Sequence, residues 1–269
     1  MSTADGSQSN AASAGVHTPA AKPLVRAAHE AAAKNTAKEE ARTKTKIAVI
    51  DYDFGNVRSV CNALEAVGAQ VELTREPDRL RQADCLLLPG VGAFGDGMAN
   101  LQRLKLIPLL ETLVFSQKKP FLGICVGMQL LAKTGYEGGK RSGLGWLDAE
   151  VIRFDFACDN GKESLLKVPH IGWNDVTFKK ESPLTAQAFH AKRPASYYFV
   201  HSYYVEPRDS AIVTGSCEYG RPFPAIVQQG NIFAVQFHPE KSQKAGLSLL
   251  KNFLDLSHPD QREAMTFLC

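Results

Sequence analysis

Cys125 stands in the run Gly123-Ile124-Cys125-Val126-Gly127, with an apolar stretch ending at Ile124 and another starting at Val126. A strand before it and a helix after it would make this the cysteine form of a nucleophile elbow, the sharp turn that lifts one side chain off a sheet. Such a turn forces the nucleophile's backbone into a sparsely populated region. Glycines two residues before and two after let the chain approach itself closely. The sulfur then sits at the start of a helix, where the backbone N–H groups favour the thiolate. The Val126 N–H has no helical partner there and can face an oxyanion.

A thiolate nucleophile needs an acid to protonate the leaving group, and histidine serves near neutral pH. Of the seven histidines, His17 and His29 lie in a polar leading segment, His258 in a polar C-terminal stretch and His190 in an expected surface segment. His170, His201 and His238 remain. His238 belongs to Gln236-Phe237-His238-Pro239-Glu240, just after the apolar run Ile232–Val235. In extended chain, residues i and i+2 project to the same side, and Pro239 stiffens the link. A carboxylate beside an imidazole fixes its tautomer and orientation. The expected constellation is Cys125 as nucleophile, His238 as proton donor and base, and Glu240 as its orienter. That is machinery for acyl transfer through a thioester. Cys61, Cys85, Cys158 and Cys217 read instead as small buried hydrophobes. With no C-x-x-C pair and no zinc-type spacing to histidine, the cysteines suggest neither a metal site nor a disulfide framework, and suit a reducing compartment.

The elements that must carry these residues follow from hydrophobic spacing. Ile47–Ile50, Val71–Leu73, Cys85–Leu88 and Phe121–Ile124 are short apolar runs of the kind buried in parallel strands. Between the first two, Val57, Val60, Cys61, Leu64 and Val67 recur at helical spacing, with Gly68 placed to end the helix. The elbow predicts a helix from Val126 to about Lys133. Alternating strands and helices imply a mostly parallel sheet flanked by helices. The second half is β-rich: Ala149–Phe154, Asp175–Phe178, Ser196–Val200, Ile212–Cys217, Ala225–Gln229 and Ile232–Gln236 read as strands, and Ser242–Leu256 as a closing amphipathic helix. A single α/β domain over residues 46–258 is expected, followed by a tail at 259–269.

Residues 1–45 are rich in Ala, Ser, Thr and Lys and nearly lack large apolar side chains, so a disordered extension is expected there. That segment holds six Lys or Arg against four Asp or Glu, +2 of the chain's net +3. The body is therefore close to neutral and presents no electrostatic case for nucleic acid or a membrane surface. No apolar run approaches the ~20 residues that span a bilayer, and the N-terminus lacks a signal core. A cytoplasmic enzyme is expected.

With the cysteine elbow and the late His-Pro-Glu in place, the sequence resembles the class I (triad) glutamine amidotransferases over about residues 46–256. More narrowly it is similar to the glutaminase subunits of imidazole glycerol phosphate synthase, of histidine biosynthesis. Asp51–Asn56 (DYDFGN), Pro89–Gly95 (PGVGAFG), Gly123–Leu131 (GICVGMQLL), Pro169–Asn174 (PHIGWN), His201–Tyr203 (HSY) and Gln236–Ser242 (QFHPEKS) carry the likeness, in the family's order. The resemblance implies a flavodoxin-like fold and glutamine as substrate, with no cofactor. It implies an oxyanion strand at Gly90 and Val91 opposite the Val126 N–H. Gly92, Gln129, Ser202 and Tyr203 would hold the amino-acid end. Gln129 lies one helical turn past Cys125 and so faces the same way. The resemblance also implies a separate (β/α)8-barrel cyclase as partner in a heterodimer, since a barrel needs about 250 residues of its own. Asn56, Trp173 and Lys241 would face that partner; a core position is the alternative for Trp173. A paralogue supplying ammonia to another synthase, such as one that aminates surface sugars, would carry the same three catalytic residues. Two features depart from the family pattern: Asp53-Phe54 in the first loop, and a polar insertion around Asp155–Leu165.

Overall fold

The computed structural model describes residues 44–55, 57–156 and 166–257. Nearly all of the expected leading extension, the tail from 259, Asn56, Cys158 and most of the insertion lie outside the described residues. The body begins slightly before the expected Lys46. Thr45 is buried, its carbonyl accepts from the Gln70 N–H, and its hydroxyl meets Leu254 and Ser257 near the other end of the described chain.

The first half alternates. Strand β1 (Lys46–Ile50) is followed by α1 (Val57–Ala66), β2 (Gln70–Thr74), α2 (Pro77–Gln82), β3 (Cys85–Leu88), α3 (Phe94–Arg103), α4 (Ile107–Glu111), β4 (Phe121–Ile124) and α5 (Val126–Gln129). The second half holds β5 (Ala132–Gly135), β6 (Arg141–Ser142), β7 (Leu147–Arg153), β8 (His170–Phe178), α6 (Ala186–His190), β9 (Ala195–His201), β10 (Tyr203–Pro207), β11 (Val213–Glu218), β12 (Pro222–Gln229), β13 (Ile232–Val235) and α7 (Gln243–Asp255).

Nine strands form one sheet in the order β2-β1-β3-β4-β13-β12-β11-β8-β9. From β2 to β13 the neighbours run parallel; from β13 onward each pairing is antiparallel. The sequence explains the division. Strands β3, β4 and β13 are apolar and buried at every residue, as strands covered on both faces must be. Strand β8 instead intersperses buried and exposed residues, the pattern of a sheet with one wet face. The β-rich second half thus completes the same sheet, and also forms a second one of four strands, β10-β7-β5-β6.

One expected element is corrected. The helix after Cys125 ends at Gln129 instead of about Lys133, and Ala132–Gly135 is strand β5, paired with β6 and β7. The carbonyls of Leu130, Leu131, Ala132 and Lys133 accept from the N–H groups of Leu144, Leu147, Gly145 and Gly143. Four tertiary hydrogen bonds override the helical propensity of an LLAK run, whose residues are all good helix formers.

Helix α7 closes the fold. It buries Leu249, Leu250, Phe253 and Leu254, each worth about 1.5–3 kcal/mol relative to exposure. Near its start it passes so close to the turn after β13 that a Cβ on Gly246 would lie 1.9 Å from the Pro239 carbonyl oxygen.

Candidate active site

Three parallel neighbours, β3, β4 and β13, end at the same edge of the sheet, where open α/β sheets gather ligands. Pro89–Gly92 leaves β3 there, Cys125 leaves β4 and Gln236–Glu240 leaves β13. Register fixes their proximity: Ile124 pairs with Val235, and the Cys125 N–H donates to the Val235 carbonyl at 2.8 Å.

Cys125 is 3% exposed and has φ 54° and ψ −111°, a conformation costing an L-residue on the order of 1–3 kcal/mol. The surroundings enforce it. A Cβ on Gly127 would lie 2.0 Å from the Leu88 carbonyl oxygen, and one on Gly123 2.8 Å from the Gly127 oxygen. The glycine framing is thus a packing requirement between β3 and the elbow.

His238 and Glu240 are almost wholly enclosed, their side chains 2% and 3% exposed, and His238 Nδ1 meets Glu240 Oε1 at 2.8 Å. Adjoining elements hold the turn. The His238 N–H donates to the Tyr198 carbonyl, and the Ser242 hydroxyl donates to the His238 carbonyl at 2.6 Å while accepting from the Tyr198 N–H. Burial disfavours the imidazolium, but the Cys125 sulfur and the Glu240 carboxylate outweigh it and hold the His238 pKa well above the ordinary imidazole value. Nδ1 is committed to Glu240, and Nε2 hydrogen-bonds no described protein atom. A buried sulfur nucleophile thus shares an enclosed site with an imidazole whose proton is held firmly, as attack followed by protonation of a leaving group requires.

A cavity of about 230 Å³ opens beside this group, lined among others by Cys125, His238, Val91, Gly92, Val126, Gln129, Ser202 and Tyr203. Eight of the sequence-nominated residues therefore surround one space. Gly90 does not line it; it packs behind the elbow, where a Cβ would lie 2.6 Å from Gly127 N. Gln129 is buried, and its amide nitrogen donates to the Tyr203 carbonyl at 2.9 Å and to Gln236 Oε1 at 3.2 Å. Both amide hydrogens are committed, so a ligand would meet only the Gln129 carbonyl oxygen.

Sequence reasoning missed three neighbours. Glu137 lines the cavity, with Oε2 accepting from the Phe94 N–H at 2.7 Å. It was invisible because a helix continued to Lys133 would have carried the chain elsewhere. Fully buried Gln236 contacts Cys125 Sγ through Nε2 at 3.7 Å. Tyr52 is buried, donates to the Pro89 carbonyl at 2.5 Å, and has its pKa raised by burial and then by the Cys125 charge.

In the first loop, Arg75 and Arg103 both engage the Asp53 carboxylate and hold its pKa down at about 2. Phe54 packs on Gly92, where a Cβ would come within 2.6 Å of its ring. Within the departing pair, Phe54 thus packs on the segment after β3 that lines the cavity. Trp173 is 47% exposed and Ile171 59%, so Trp173 is no core residue. Its ring lies 6.0 Å from that of Tyr198, and Lys241 Nζ lies 5.7 Å from the same ring. These side chains form one aromatic patch. Among the described residues, no helix is long and apolar enough to cross a membrane.

Comparison with known proteins agrees with this geometry. Imidazole glycerol phosphate synthase subunit HisH 1 of Campylobacter jejuni is 47% identical over 210 residues, covering 78% of this chain and all of the relative. The HisH subunit of Aquifex aeolicus is 47% identical over 206 residues, 76% of this chain and 94% of the relative. That of Bacillus subtilis is 44% identical over 212 residues, 78% and 96%. Among solved structures, a glutamine amidotransferase superposes with a TM-score of 0.60 at 20% identity, covering 78% of this chain and 98% of that one. PurLQS from Thermotoga maritima gives 0.61 at 20% identity, covering 79% and 99%. At that identity the two structures speak for the fold alone. Residues 48–256 match the family described as glutamine amidotransferase class-I, a span that takes in the elbow, the His-Pro-Glu turn and every described strand but β1 in full. The chain therefore belongs to the class I glutamine amidotransferases.

Proposed function

We propose that this chain is the glutaminase subunit of an imidazole glycerol phosphate synthase, hydrolysing glutamine to glutamate and ammonia for use by a separate cyclase. The carrying observation is Cys125 and His238 lining one cavity, beyond the ends of adjacent parallel strands, with Glu240 paired to His238. The subunits named above, matched over nearly their whole length, support histidine biosynthesis as the setting.

In this reading the Cys125 thiolate attacks the side-chain carbonyl of glutamine. A carbon–sulfur bond forms, and the electron pair moves to oxygen. The Val126 N–H and the N–H of the Gly90–Val91 peptide stabilise that oxyanion. As the carbon–nitrogen bond breaks, His238 gives its proton to ammonia. The same imidazole then takes a proton from water, which attacks the thioester and releases glutamate. Glu240 keeps Nδ1 occupied and the ring oriented. Gln129, Glu137 and the backbone of Gly92, Ser202 and Tyr203 surround the amino-acid end; the Glu137 carboxylate suits its ammonium. The partner is a (β/α)8-barrel cyclase docked at the Trp173–Tyr198–Lys241 patch; Asn56, outside the described residues, is assigned to the same partner from the sequence alone. The enzyme is cytoplasmic and needs no cofactor.

Cys125→Ala tests the chemistry. It removes the nucleophile and little volume, so the chain should fold and glutamine hydrolysis should vanish. Residual hydrolysis within about tenfold of wild type overturns the assignment. A diazo-ketone glutamine analogue should add one adduct, mapped to Cys125; labelling at Cys61 or Cys217 instead contradicts it.

A further inference from the structure

Two buried histidines take no part in the chemistry above. His170 and His201 pair across β8 and β9, are 0% and 6% exposed, and meet Nδ1 to Nε2 at 3.1 Å. The chain of contacts continues both ways. His201 Nδ1 lies 2.8 Å from the Tyr203 carbonyl oxygen, which also accepts from Gln129. His170 Nε2 lies 2.9 Å from Asn174 Oδ1, next to exposed Trp173. Tyr219 stacks on the His170 ring at 3.9 Å between centroids, and Phe199 at 5.0 Å, so the ring cannot turn without breaking the stack.

Proton counting fixes the tautomers. The Tyr203 carbonyl only accepts, so His201 carries its proton on Nδ1 and offers a lone pair at Nε2. His170 must then donate from Nδ1, which leaves its Nε2 as an acceptor. That nitrogen requires the Asn174 amide turned over, its N–H in place of Oδ1, an orientation that hydrogen-bond logic decides, since amide nitrogen and oxygen are interchangeable in shape. The amide's other contact, to the Glu218 carbonyl, is long at 3.5 Å and gives little up. The alternative, Asn174 Oδ1 against Nε2, needs a buried imidazolium. Burial opposes that, lowering the pKa of His170 and taking that of His201 down to about 3.

We propose that Asn174, His170 and His201 are positioning residues: a neutral, single-tautomer relay that fixes the Tyr203 carbonyl and, through it, the Gln129 side chain in the substrate cavity. The inference rests on that cavity being the glutamine site. The relay has a direction: every N–H points from Asn174 toward Tyr203. Removing one donor leaves a buried acceptor unpaired downstream and loosens Gln129, without touching Cys125, His238 or Glu240.

The test uses the assembled synthase with its partner subunit. His170→Ala should raise KM for glutamine about tenfold, the scale of one lost buried hydrogen bond. The saturated rate and the alkylation rate of Cys125 by iodoacetamide should stay within about threefold of wild type. His170→Asn places an amide N–H where Nδ1–H stood and should restore most of the KM. Nitrogen-15 spectra of the wild-type protein should show both rings neutral with the proton on Nδ1, a readout independent of any variant's folding. An unchanged KM in His170→Ala, no rescue by asparagine, or an Nε2–H tautomer at His201 overturns the relay. Should Cys125→Ala retain hydrolysis, the reading of the cavity fails instead, and the two failures are distinct.

Discussion

At His238, burial pulls against the Cys125 sulfur and the Glu240 carboxylate, and these neighbours prevail. The raised pKa has a signed consequence. Its contribution to stability is complete below the ordinary imidazole value of about 6.5 and is lost as pH rises through the higher folded-state value. In the proposed reaction the protonated ring gives ammonia its proton, so the basic limb of the glutaminase pH profile should lie well above the ordinary imidazole range. Glu240→Gln removes one of the charges that raise the pKa. It should move that limb toward neutral and cost up to about 10²-fold at pH 8, the low end of what a general acid contributes, with a smaller loss near pH 6. A limb that stays in place in pH–rate measurements on the assembled enzyme contradicts the role given to Glu240. The three central residues were legible because their signals are local: a glycine frame around Cys125, and two side chains at i and i+2 flanking a proline. Glu137 was not, because nothing in its own neighbourhood announces a site, and Gln236, though beside His238, gives no local sign that its side chain turns to the Cys125 sulfur. They reach it only through the pairing of β5 and the end of β13.

Among the elements, α7 bears on the site most directly, although it contributes none of the residues proposed to act. It presses Gly246 onto the Pro239 carbonyl, between His238 and Glu240. Gly246→Ala would put a methyl group where backbone stands, and neither a helix nor a proline turn yields cheaply. We expect about 1–3 kcal/mol of destabilisation, seen as a lower Tm by calorimetry. We also expect a loss of glutaminase beyond what the unfolded fraction explains, because the His238–Glu240 turn must shift. Wild-type Tm and rate together would show that the contact relaxes freely. Strands β1, β3, β4 and β13 were readable because a strand buried on both faces is a continuous apolar run. The single-turn α5 was not. Leu130 and Leu131 fit a helical stripe equally well, and their true partners, Leu144 and Leu147, lie beyond an intervening hairpin. The start of β8 was missed for a related reason: its apolar Ile171 and Trp173 face outward.

For the whole molecule, the charge and composition of residues 1–45 set them apart from a nearly neutral body. We propose that they are dispensable for catalysis; deleting residues 1–43 should leave turnover of the assembled complex unchanged, and a large loss would reveal contacts that composition does not suggest. The remaining question is how the site is restrained without its partner. A free glutaminase would waste glutamine, and we propose the segment Gly90–Val91, just after β3, as the control point. Val91 is 47% exposed, and Gly92, at φ 138°, lies under the Phe54 ring. We propose that the peptide between Gly90 and Val91 has two orientations, only one of which aims the Val91 N–H at the oxyanion. A missing oxyanion donor costs on the order of 10²–10³ in rate. The isolated chain should hydrolyse glutamine slowly, and the cyclase with its nucleotide ligand should raise the rate by at least that factor. Trp173→Ala should weaken cyclase binding by about 2 kcal/mol or more if the exposed ring is an anchor, measured by titration calorimetry, while leaving the isolated chain's slow rate unchanged. Cys125→Ala bound to the cyclase should still form imidazole glycerol phosphate from ammonium salts, because the ammonia-consuming site lies on the other subunit. Full glutaminase activity in isolation, or indifference to the cyclase, would assign this chain to a different synthase within the same family.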